Sequence, residues 1–179
     1  MKKLICFVLI ACTLLLAACS VTDPKTISFS PLVSETTKAN IEFYQKMLES
    51  APFPNGVSFY PYAAEYESSS AEHDGDKTHI LVHGFVRNNT VHTVYALEAD
   101  VVVEQGGLPV ADGFFYFELN DFGALPMRES RPWTLRYSVD QINITTADFS
   151  KQFFVNSNFK YSITESPDEF DLSSKMVIN

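Results

Sequence analysis

Beyond residue 19 the 179-residue chain has no cysteine; its three, Cys6, Cys12 and Cys19, all lie in the opening MKKLICFVLIACTLLLAACS. A domain built from the residues that follow has no disulfide, no thiolate metal site and no cysteine nucleophile. Positive charge is also scarce: 13 Lys and Arg stand against 22 Asp and Glu, a net charge of −9. That balance disfavours nucleic acid, other polyanions and an anionic lipid surface as partners. Motifs of familiar chemistries are missing as well. There is no G-x-S-x-G nucleophile turn, no H-E-x-x-H and no phosphate-cradling glycine loop.

The N-terminus accounts for the placing of the cysteines. Lys2 and Lys3 precede an almost unbroken apolar run from Leu4 to Leu16, and the small residues Ala17 and Ala18 lead to Cys19. This is the layout of a secretory signal. An apolar stretch of about 15 residues is shorter than the roughly 20 that span a bilayer. The polar SVTDPKT behind it carries no stop-transfer cluster. Cutting before Cys12 leaves only about eight apolar residues, near the lower limit for such a segment. Cutting before Cys19 leaves a full apolar segment and a polar start. Leu16-Ala17-Ala18-Cys19 resembles the bacterial lipobox, whose cysteine receives lipid. Residues 1–18 are therefore expected as a lipoprotein signal peptide and Cys19 as the lipidation site, with ordinary secretion as the alternative. The partner expected at that end is the membrane, reached through the lipid on Cys19. Loss of Lys2 and Lys3 takes the net charge from −9 to −11.

About 160 residues remain, enough for one domain. Residues 19–33 contain Pro24 and Pro31 and read as a tether with one short extended piece, TISFS. Ser34 to Ser50 reads as a helix: Ile41, Tyr44, Met47 and Leu48 recur at helical spacing behind a Ser34 N-cap. Pro52, Pro54 and Gly56 stop it. From Gly56 the period becomes two. VSFYPYAAEY, with Pro61 inside it, reads as an edge strand, and HILVHGFVR as a central one. In VYALEADVVVE, Tyr95, Leu97, Ala99, Val101 and Val103 share a face opposite Glu98, Asp100 and Glu104. Gln105-Gly106-Gly107 joins this run to LPVADGFFYFEL, with Phe115, Phe117 and Leu119 on one face. Trp133, Leu135, Tyr137 and Val139 share a face of RPWTLRYSV, and a last strand runs from about Asn158 to Thr164. The pattern predicts a mainly β domain over residues 34–164: an immunoglobulin-like β-sandwich of six to seven strands preceded by one amphipathic helix. Residues 165–179 read as an acidic tail.

Three ordered pieces carry a family resemblance: Phe85-Val86-Arg87-Asn88-Asn89, Val110-Ala111-Asp112-Gly113-Phe114-Phe115, and Arg131-Pro132-Trp133-Thr134-Leu135. With the leading helix and its Pro/Gly break, the run to about Ile163 resembles the S-layer-associated protein (SLAP) domain of Gram-positive bacteria. One departure lies near the end, where Phe149-Ser150 and Phe153 replace the family's Leu-Ser and Trp. The resemblance implies an extracytoplasmic module linked with surface-layer assembly or export, and it brings no catalytic residue with it.

The remaining candidates have plain structural readings. His79 and His83 share a strand face at a separation of about 13 Å, too far to chelate one metal without a third element. EHDGDKTH around Asp74 and Asp76 lacks the spacing of a calcium loop and reads as a solvated turn. Glu98 and Asp100 are the obvious carboxylate pair, but they fall on the polar face of an alternating strand. Trp133 reads as core, with a sugar-stacking platform as the alternative. The expectation is a lipid-anchored binding or structural module for a cell-envelope protein, with no catalytic, cofactor-binding or metal residues. A solute- or metal-binding lipoprotein and a carboxylate-based hydrolase are the alternatives.

Overall fold

A computed structural model describes residues 26–52, 54–68, 77–164 and 176–178. Eight strands and two short helices follow in the order β1 (Thr26–Ile27), α1 (Glu35–Ala39), α2 (Ile41–Glu49), β2 (Gly56–Ser68), β3 (Lys77–Asn89), β4 (Ala96–Gln105), β5 (Leu108–Phe117), β6 (Glu129–Ser138), β7 (Phe154–Ser162) and β8 (Met176–Ile178). They form two sheets of strand order β1-β6-β3-β2 and β5-β4-β7-β8. The protein is mainly β, as expected, with one core between the sheets.

Period-two patterning puts that core in place. Leu97, Ala99, Val101 and Val103 of β4 point inward and are buried, as are Ile80, Val82 and Val86 of β3, Leu135 and Tyr137 of β6, and Phe159 of β7. The buried Tyr137 hydroxyl donates to the Val101 carbonyl at 3.2 Å, bonding across the two sheets. Its ring meets Phe115 edge-on at 4.9 Å. Burial pushes its phenol pKa up. The β4–β5 hairpin closes through Gly106 and Gly107, whose φ of 62° and 80° suit a two-residue turn that matches strand twist.

β2 is an edge strand and β3 a central one, as their compositions require. Pro61, which lacks a ladder N–H, sits where the register slips between Pro61 and Ala63. Opposite it on β3, Gly84 leaves room for an inward ring: a Cβ there would lie 2.4 Å from Phe59 and 2.6 Å from the Tyr60 carbonyl. Gly84→Ala is therefore expected to destabilise by about 2 kcal/mol through overpacking. Its urea midpoint tests this; a midpoint equal to the wild type would mean that Phe59 moves aside at no cost.

The helical segment differs from the single helix expected over Ser34 to Ser50. Ser34 does cap α1, accepting from the Thr37 N–H at 3.2 Å, but Asn40 leaves helical geometry and divides α1 from α2. Tyr44 and Leu48 pack with Ala51 and Phe85 on the outer face of the first sheet, joined by Met47, Tyr60 and Tyr62. Ile41, beside the break, stays exposed.

Two boundaries also shift. Thr26–Ile27, the start of the extended piece TISFS expected within the tether, pairs in parallel with Glu129 and Ser130 of β6. The first sheet thus takes in residues before Ser34. Met176–Ile178, inside the segment read as an acidic tail, pairs with β7 from Lys160 to Ser162. A short apolar run at a sheet edge gains a ladder there, despite the acids before it. The last strand of the expected domain starts at Phe154, four residues before the position read from sequence. Leu119 and Val139 lie beyond the ends of β5 and β6, so they are exposed and not on the core face.

Candidate functional site

Arg87, the last residue of the run read as a central strand, and Asn88, which follows it, are both buried. Asn88 sits at the end of β3, where three segments meet. Its side-chain amide donates to the carbonyls of His92 (2.8 Å), Leu125 (3.0 Å) and Pro126 (3.0 Å). Its Oδ1 accepts from the Thr90 N–H and hydroxyl at 3.0 and 2.7 Å. Arg87 donates to the Pro52 carbonyl and, through Nε, to Ser130 Oγ at 3.4 Å. Asn89 donates to the Pro54 carbonyl at 2.8 Å and accepts from Arg128, a residue held at φ 63°. The three side chains tie the Pro52–Pro54 break, the β3–β4 turn and the loop before β6 into one bracket.

The other two motif pieces are also framework. Arg131 donates to the carbonyls of Phe122, Gly123 (3.1 Å) and Ala124 (2.9 Å), and to Ser28 Oγ at 3.0 Å. Its guanidinium lies 4.9 Å from the Phe122 ring centroid. Burial lowers its pKa to about 10, which leaves it charged at neutral pH. A Cβ on Gly113 would lie 2.6 Å from the Gln141 side chain, which accepts from the Ser138 N–H at 2.9 Å to close the turn after β6. Trp133 is partly buried against Phe122 (5.1 Å) and Phe117 (6.1 Å), the core arrangement preferred from its alternation. Trp133→Ala is expected to cost about 3 kcal/mol. A variant that melts with the wild type would place Trp133 on a ligand surface instead.

His79 and His83 do share the outer face of β3, each with its own neighbours. His83 lies 2.9 Å from Thr134 Oγ1 and 3.3 Å from Glu65. His79 lies 3.6 Å from Glu67, which also pairs with Arg136 at 2.8 Å. Among the described residues no three His, Cys, Asp or Glu side chains converge as a metal site would need. The turn around Asp74 and Asp76 lies outside the described residues, as does Cys19. No helix among the described residues is long and apolar enough to cross a membrane.

Glu98 and Asp100 stand on the outer face of the second sheet, in neighbouring cross-strand rows. Tyr116, Glu98 and Lys160 form one row, and Phe114, Asp100 and Asn158 the next; Asp112, Val102 and Asn156 follow. Glu98 is nearly buried and paired with Lys160 at 3.2 Å, whereas Asp100 is exposed. Phe114 and Tyr116 are 53% and 51% exposed, and Phe154, opposite Glu104, is 55% exposed. Phe115 and Phe117 mark one face of this strand in sequence, and the aromatics that alternate with them mark the other. The signal was present: four consecutive aromatics on a period-two strand must place two on each side.

No curated protein matches the chain. The SLAP domain family, however, matches residues 27–156, a span running from β1 into β7 that contains all three motif pieces. The chain belongs to the SLAP domain family.

Proposed function

We propose that the chain is a lipid-anchored, extracytoplasmic binding module that holds a protein of the cell envelope or surface layer and does no chemistry of its own. One observation carries this reading. The residues that carry the family resemblance are built into the framework: Arg87, Asn88, Asn89 and Arg131 hydrogen-bond backbone carbonyls and neighbouring side chains. Residues engaged in scaffolding leave function to a surface. The lipid on Cys19 would supply the anchor, and residues 19–25 would span at most ~25 Å, so the domain would sit close to the membrane. We read the sandwich as immunoglobulin-like, because β2-β3-β6 opposite β5-β4-β7-β8 follows the strand order A-B-E opposite C′-C-F-G.

Cosedimentation tests the binding reading. Purified full chain in neutral detergent is mixed with detergent-washed envelope fragments, untreated or digested with protease. Retention on the untreated fragments and loss after digestion is the expected result. Failure to sediment with either would overturn the reading, and retention that survives digestion would replace the protein partner with a polymer.

A further inference from the structure

Both faces of the sandwich carry exposed side chains, but they are organised differently. On the first sheet the helices cover one end, and His79, His83, Glu65, Glu67, Thr134 and Arg136 satisfy one another at the other. On the second sheet three half-exposed aromatics alternate with acids. Lys160 neutralises Glu98, and among the described residues Asp100, Glu104 and Asp112 make no ion pair. The face therefore combines flat apolar rings with an excess of negative charge.

We propose that this face docks a Lys- and Arg-bearing segment of a protein partner; the proposal rests on the binding-module reading above and names its site. Charge selects the occupant. A second copy of the chain would bring its own net charge of −9 against the face. The chain's own segments outside the described structure do not supply it: residues 165–175, ESPDEFDLSSK, hold four acids and one lysine, and residues 69–76, SSAEHDGD, hold only acidic charge. Residues 19–25 balance Asp23 with Lys25, and Lys2 and Lys3 leave with the signal peptide on the reading above. A polyanionic polymer is repelled. A cationic segment instead meets carboxylates at Asp100 and Asp112, while the rings of Phe114 and Tyr116 accept its ammonium and guanidinium groups and its aliphatic stems. β5 is the edge strand on this side, and residues 142–144 already cover part of its margin, with the Asn143 and Ile144 N–H groups on the Val110 carbonyl. The site is accordingly the face of the sheet and not its edge.

A defined probe tests the proposal: a fluorescent peptide of alternating lysine and leucine, titrated with full chain in neutral detergent and read by anisotropy. The same titration uses a glutamate–leucine peptide, the face variant D100N/F114A, and the matched-charge control E49Q at an exposed position of α2. The lysine peptide should bind the wild type and the control alike, weaken at least about tenfold on the face variant, and weaken with added salt. The glutamate peptide should not bind. Equal weakening by face variant and control would show attraction to net charge alone and overturn the site. So would wild-type binding by the face variant, or no binding of the lysine peptide at all. Melting of both variants with the wild type confirms that fold is unchanged, since the substituted side chains are exposed. In the envelope cosedimentation, a face variant that sediments like the wild type sinks this site and leaves the binding module standing. A wild type that fails to sediment sinks the module itself.

Discussion

Replacing Cys19 with Ala is expected to move the protein from the membrane pellet to the soluble fraction, with a fall in membrane partition of more than about a thousandfold. The magnitude follows from lipid chemistry. One acyl chain binds only marginally, whereas two add about 0.8 kcal/mol for each buried CH₂. A cysteine at the end of a lipobox carries at least two chains, and alanine carries none. The protein surface offers no compensation, because its acids outnumber its bases by nine and anionic lipid repels it. Fractionation after a high-salt wash reads the result. A C19A variant that still pellets with membranes would remove the lipid anchor from the account.

The second large effect is expected at Asn88. Asn88→Ala would remove one donor from each of three carbonyls, those of His92, Leu125 and Pro126, and the acceptor of the Thr90 N–H. Asn88 itself is fully buried, so water cannot take its place without opening the bracket. A buried hydrogen bond contributes about 0.5–1.5 kcal/mol net; with the five of the Asn88 side chain lost together, we expect about 3 kcal/mol. For a domain of this size that lowers Tm by roughly 6–12 °C. Asn88→Asp keeps the shape but turns a carboxylate on the same carbonyls, and should be at least as damaging. Urea unfolding at unchanged slope measures both. A loss below about 0.5 kcal/mol for the alanine variant would mean that the bracket is not what holds the loops.

The residues that sequence placed well and those it misplaced differ in a physical way. Alternation in β4 fixed Leu97, Ala99, Val101 and Val103 as core, because a strand with one face in a core must repeat every two residues. Gly106-Gly107 fixed the hairpin, because two consecutive positive φ values need residues without a Cβ. Polar residues at strand ends were illegible. Nothing local marks Arg87 and Asn88 as buried; the Pro52 and Leu125 carbonyls that pair with them come from 35 and 37 residues away. Asn40 breaks a stretch whose apolar spacing runs straight through it. Met176–Ile178 is too short to show a period and becomes a strand only because β7 offers a ladder, whereas Thr26–Ile27, within the TISFS read as extended, finds its ladder on β6. The candidate face was half legible: Phe114 and Tyr116 had to oppose Phe115 and Phe117, but only burial reveals which pair faces the core.

The same residues separate stability from binding. Bracket variants such as Asn88→Ala should melt early, and those at Asp100 or Phe114 should melt normally and bind poorly. The most direct measurement of the central claim, that one surface of this folded domain engages an envelope protein, is displacement. Labelled full chain is bound to washed envelope fragments and challenged with unlabelled protein in excess. The account predicts that unlabelled wild type displaces the label and that D100N/F114A at the same concentration leaves it in place. Label that neither protein displaces, or that both displace equally, would contradict it.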